Sequence, residues 1–197
     1  MKRPTGGGAA IDASPLEFRK AVVRLLIVTD IHGRPTADRC LSRHLPGAQC
    51  SLVRTFSLSE LLDVKYTGER LHRELVENDG FIRAAERLAR LSEAADVALG
   101  YSAGGTVLWH GVLNGLAVDR LICLSSTRLR DVRASAMPKP ALVVFGKDDP
   151  NRPRERWASG SAVECCTVSG AGHDFYAIEG PALRLCLAWI TRFLNLM

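Results

Sequence analysis

The chain has 197 residues, 47% of them hydrophobic and 24% charged, which suits one globular domain with a sizeable core. The net charge of +5 comes without an arginine-rich block or interleaved basic and aromatic residues, so nucleic acid is not an expected partner. No apolar run reaches the about 20 residues of a membrane helix, and no apolar stretch behind Met1-Lys2-Arg3 makes a secretory signal. The cysteines include no C-x-x-C pair, so neither a zinc site nor a disulfide framework is indicated, and reduced thiols in a cytoplasmic protein are expected.

Residues 1–20 carry three glycines and two prolines without a period and read as a poorly ordered lead-in, leaving 21–197 as one domain. The first firm element is Val22–Val28, a β-branched run of the kind buried in parallel sheets. Thr29-Asp30-Ile31-His32-Gly33-Arg34-Pro35 follows as a loop, then an expected helix from Thr36 to Leu45. Ser51–Phe56 alternates as a second strand. Leu58, Leu61 and Leu62 suggest a short helix, Tyr66-Thr67-Gly68 a break, and Leu71 and Leu75 a further helix. Phe81, Ile82, Ala85, Leu88, Ala89 and Leu91 outline an amphipathic helix.

Asp96–Leu99 reads as the third strand, leading through Gly100-Tyr101-Ser102-Ala103-Gly104 into a helix that runs to Leu113. Further strands are expected over Asp119–Leu124, Ala141–Gly146 and Ala162–Val168, and Pro181 opens a closing helix to Phe193. Strands alternating with helices imply right-handed crossovers. The expected architecture is a single α/β domain: a mostly parallel sheet of about six strands with helices on both faces.

Gly100–Gly104 fits G-x-S-x-G, in which a strained strand-to-helix turn lifts a serine clear of the sheet. The flanking glycines are needed because strand and helix come so close that a Cβ would clash. Chemistry in a parallel sheet gathers beyond the carboxyl ends of the strands. The loop after the fifth strand is Gly146-Lys147-Asp148-Asp149-Pro150, and that after the sixth is Ser169-Gly170-Ala171-Gly172-His173-Asp174. Ser, Asp and His thus follow in order on one sheet edge, the residue types of a nucleophile, a general base and the carboxylate that orients it.

These motifs, from about Val22 to the C-terminus, resemble the α/β-hydrolases. The resemblance implies Ser102 as nucleophile, His173 as base and Asp149 as acid through the G-x-x-D spacing, with Asp148 the rival. Ala103 N–H would supply one oxyanion donor. The second would come from Thr29-Asp30-Ile31-His32-Gly33, which resembles the loop of dienelactone-hydrolase-like members and points to Ile31; its His-Gly pair points instead to Arg34. Asp30, His32 and Tyr101 are candidate substrate-binding residues. Dienelactone hydrolases use a cysteine nucleophile where this chain has Ser102, so their lactone substrate is not carried over.

Only a loop spans Ser125 to Pro138, where many hydrolases insert a cap, so an open cleft is expected, with residues 57–80, including Tyr66 and His72, as the candidate lid. Arg128, Arg130, Arg133, Lys147, Arg152, Arg154 and Arg156 fall in loops leaving strands four and five, which suggests a positive rim that would steer an anionic substrate. The expected substrate is a small-molecule acyl ester or thioester, the thioester preferred and linked to an acyl carrier protein or coenzyme A. No cofactor, metal or membrane is implied. An acyltransferase or cyclase built on the same residues and a non-catalytic binding protein of the same fold are the alternatives.

Overall fold

In the computed structural model, residues 22–35, 41–45 and 50–195 are described. The 1–20 lead-in and the first half of the helix expected over Thr36–Leu45 lie outside them; Leu41–His44 of that segment forms a single 3-10 turn.

Six β-branched and leucine-rich runs form strands β1 (Val23–Val28), β2 (Cys50–Phe56), β3 (Val97–Tyr101), β4 (Arg120–Leu124), β5 (Ala141–Gly146) and β6 (Val163–Val168). All adjacent pairs are parallel, in the order β2-β1-β3-β4-β5-β6. The chain moves outward from β1 to β2, then crosses back to place β3 on the other side of β1. That reversal makes a crevice between the carboxyl ends of β1 and β3, where parallel sheets bind their ligands.

Alternate residues along each strand feed two cores, as the two-residue period requires. Leu26, Val28, Ala98, Leu121, Cys123, Ala141, Val143 and Phe145 face one side. There they meet α1 (Leu58–Leu62), α2 (Gly68–Glu77), α3 (Gly80–Leu91) and α4 (Ala103–Leu113). Leu25, Ile27, Val97, Leu99, Tyr101, Ile122, Leu124, Leu142 and Val144 face the other, under α5 (Pro181–Phe193) and the Leu41–His44 turn. Helix α4 is apolar nearly all round, with Trp109 fully buried, because it lies between β3 and the α1–α3 layer. The expected fold class is the one found.

The segment read as a candidate lid is part of the core. Leu58, Leu61, Leu71 and Leu75 are at most 1% exposed, and Tyr66 packs against the same cluster. A capping box between Ser57 and Glu60 starts α1, and the Glu60 carboxylate also accepts hydrogen bonds from Arg34 and Arg54. What marks this segment as a candidate lid in sequence is the lack of an inserted cap after the fourth strand; its leucines bury against α3, which follows later in the chain. Truncating Leu71 to alanine is expected to cost about 2–5 kcal/mol of stability, read as a lower urea midpoint at unchanged slope. A lid would give almost no change.

Candidate active site

Ser102 lies between β3 and α4 with φ 45° and ψ −121°, a left-handed-side backbone conformation that costs about 1–3 kcal/mol for a non-glycine residue. Its surroundings hold it there. Ser102 N–H donates to the Leu124 carbonyl on β4 at 2.8 Å. A Cβ on Gly104 would overlap the Val28 and Thr29 carbonyl oxygens of β1, and one on Gly100 would overlap Gly105 Cα. The serine is therefore presented by direct backbone packing of α4 on β1 and β3.

The His173 loop is held in the same way. Gly146, ending β5, lies so close to the Ala171 and Gly172 carbonyls that no Cβ fits. Lys147 N–H donates to Val168 O at 2.8 Å, and Asp148 N–H to Ala171 O at 3.0 Å. Phe175, buried beyond the loop, anchors its far end.

These constraints bring three side chains into line. Ser102 Oγ is 2.9 Å from His173 Nε2, and His173 Nδ1 is 2.8 Å from Asp149 Oδ2. The other Asp149 oxygen accepts from Asn151 N–H at 2.8 Å. Burial alone would raise this carboxyl, but the hydrogen bonds from His173 and the Asn151 N–H more than offset it and hold it below the usual carboxylate range. Its ionised form therefore adds stability above that range, and the contribution is lost as pH falls through the folded value. An ionised carboxylate only accepts, so Nδ1 carries the proton and Nε2 is free to accept from the serine hydroxyl. Of the two aspartates, Asp149 has a fully buried side chain facing His173, whereas Asp148 is exposed.

The serine opens into a cleft of about 460 Å³ whose wall includes Asp30, Ile31, His32, Ala103, His173 and Tyr176. As the first residue of α4, Ala103 has no intrahelical acceptor for its N–H. The Ile31 carbonyl takes the Gly68 N–H at 2.8 Å, which fixes the β1 loop against α2. Arg34, the other oxyanion candidate, is not in this wall; it borders a neighbouring cavity of about 400 Å³, with its guanidinium on Glu60. Tyr101, expected to bind substrate, is likewise buried behind the cleft and borders that second cavity.

Tyr176 is the residue that sequence reading missed. It stacks on Tyr101 with ring centroids 5.3 Å apart and meets the His173 ring edge-on. Its hydroxyl donates to Asp30 Oδ2 at 3.3 Å, while Asp30 Oδ1 accepts the His32 N–H at 2.8 Å. Burial, with Asp30 alongside, pushes the phenol far up, so it stays a proton donor. The carboxylate of Asp30 thus joins the β1 loop to the His173 loop. Tyr176 stands three residues after His173, and nothing in its spacing singles it out from an ordinary aromatic anchor.

None of the arginines and lysine expected as a positive rim is in the cleft wall. Arg128 and Arg130 lie beside Asp131 instead, and the chain after Asp149 carries Arg152, Arg154 and Arg156 round to a separate cavity. Beyond Ser102 the wall is instead supplied by α2, through Glu69 and His72. No cluster of metal-ligating side chains occurs, and no helix is long and apolar enough to cross a membrane, among the described residues.

No protein-family model and no curated protein sequence matches the chain. Solved structures do. A dienelactone hydrolase-like promiscuous phosphotriesterase from metagenomic libraries superposes with a TM-score of 0.62 at 13% identity, over 89% of this chain and 87% of that one. Dienelactone hydrolase from Anabaena variabilis gives 0.58 at 15%, over 90% and 87%. Alpha/beta hydrolase domain-containing protein 10 from mouse gives 0.60 at 12%, over 87% and 89%. The parallel sheet, its strand order and these likenesses establish that the chain has the α/β-hydrolase fold.

Proposed function

We propose that this protein is a serine hydrolase that cleaves an acyl ester or thioester through an acyl-enzyme. One observation carries the reading: the unbroken hydrogen-bonded line from Ser102 through His173 to a buried, ionised Asp149. A fold alone leaves function open; a strained serine paired with a base inside a cleft is what supports catalysis over binding.

In this mechanism Ser102 Oγ attacks the substrate carbonyl while His173 Nε2 takes its proton. Asp149 holds the tautomer that can accept it and stabilises the imidazolium that forms. The Ala103 and Ile31 N–H groups face the developing oxyanion. His173 then gives its proton to the leaving alkoxide or thiolate. Water then attacks the acyl-serine while His173 takes its proton, and the imidazolium returns that proton to Ser102 Oγ as the acyl–oxygen bond breaks, releasing the carboxylic acid and free Ser102. The His32 N–H donates to Asp30 and shapes the β1 loop, and Asp30 and Tyr176 are positioning residues.

Oxygen esters and thioesters both fall within this reading. The preference for a carrier-linked thioester rested on basic loops, which do not border the cleft, so matched acyl esters and thioesters compared side by side decide it. Product analysis separates hydrolysis from acyl transfer.

A fluorophosphonate probe is expected to label Ser102, located by peptide mapping, and Ser102→Ala to be unlabelled and inactive. No adduct, or one elsewhere, overturns the mechanism. Asp149→Asn should lower kcat by about 10³–10⁴ with little effect on KM, whereas Asp148→Asn should stay within about twofold; the reverse order would reassign the acid. Tyr176→Phe removes the hydroxyl that ties Asp30 to the His173 loop. It should lower kcat about tenfold at constant KM, as expected for one hydrogen bond to a charged acceptor. A rise in KM alone would make Tyr176 a substrate contact.

A further inference from the structure

The proposed hydrolysis makes no use of Arg152, Arg154 and Arg156, which follow directly on the acid loop. The chain turns over edge strand β6 at this point and leaves a half-open cavity of about 350 Å³ between the loop and the sheet. The three arginines border it, together with Ser159 from the loop and Thr167 from β6. Cys165 and Thr167 stand two apart on β6, so they share one face of the strand and form the cavity's other side.

Charge in this cavity is unbalanced. Glu155 is the one carboxylate in its wall. Several other arginines pair with acids: Arg24 with Asp96, Arg34 with Glu60, Arg83 with Glu74 and Arg192 with Glu164. Arg152, Arg154 and Arg156 form no ion pair among the described residues, although three of them share one short loop. Arg152 is half-buried, and its Nε is shut off from solvent with no hydrogen-bond partner among the described residues. Three like charges around one cavity repel one another, and a bound anion would relieve that repulsion.

We propose that this cavity binds a phosphate-bearing small molecule, an organic phosphate or diphosphate, at a site separate from the Ser102 cleft. Three guanidiniums against one carboxylate suit a dianion better than a single carboxylate. Guanidinium forks match the spacing of phosphate oxygens two at a time, and the Ser159 and Thr167 hydroxyls add neutral donors. The volume admits one small ligand, and the confined cluster lacks the extended basic stripe that a nucleic-acid backbone needs.

The test uses the full chain carrying Ser102→Ala, so the outcome does not depend on the proposed hydrolysis. Inorganic pyrophosphate, titrated by calorimetry at low salt, is expected to bind one per chain and to move the amide resonances of Ser159 and Thr167. Succinate, a dicarboxylate control, should bind at least tenfold more weakly. Arg152→Gln and, separately, the more exposed Arg154→Gln should each weaken pyrophosphate about tenfold, while Arg133→Gln, outside the cavity, leaves it unchanged. Absence of binding, equal loss in Arg133→Gln, or shifts centred on Ser102 and His173 would overturn the proposal.

Discussion

The backbone of α4 packs against that of β1 without intervening side chains, and the whole site depends on that contact. Gly104 touches the Val28 and Thr29 carbonyls, so the start of the helix and the loop that leaves β1 cannot move apart independently. One consequence is the strained Ser102, kept at φ 45° by its N–H bond to β4. The other is that Ala103 and Ile31 border the same cleft. The geometry is stored in close main-chain packing, which side-chain repacking elsewhere in the core does not readily relax.

A second main-chain contact does the equivalent work for the imidazole. Gly146 lets the His173 loop settle on the end of β5, and the Asp148 and Lys147 N–H groups fasten it. Asp149 is buried against His173, on the loop that these bonds hold. Two adjacent aspartates are thereby separated into one buried acceptor and one solvated charge. Tyr176 and Asp30 close the remaining gap between the β1 loop and the His173 loop, so the loops after β1, β5 and β6 are cross-linked by hydrogen bonds.

Charge divides over two places. The wall around Ser102 has carboxylates from Asp30, Glu69 and Asp174, imidazoles from His32, His72 and His173, and no arginine or lysine. The arginines that follow Asp149 surround a cavity under β6 instead. Linear proximity to an acid loop does not translate into proximity to the serine, because the chain reverses at Pro150-Asn151 and runs back over the sheet face.

The alternation of strands and helices, the elbow, and the order of serine, acid and histidine are legible in the amino-acid sequence. Each of these rests on local rules: two-residue and helical periods, glycine where backbones touch, and loops at strand ends. The same rules marked Asp149 and Ile31 only as options beside Asp148 and Arg34, because burial and partner choice are set by segments distant in the chain. Residues 57–80, a candidate lid by their place in the sequence, belong to the core because α3 covers their leucines. Tyr176 was invisible because its significance lies in Asp30, 146 residues earlier. The tertiary structure alone decided which of two neighbouring aspartates meets the histidine, which residues wall the cleft, and where the arginines go, since each depends on contacts between segments that no local pattern encodes.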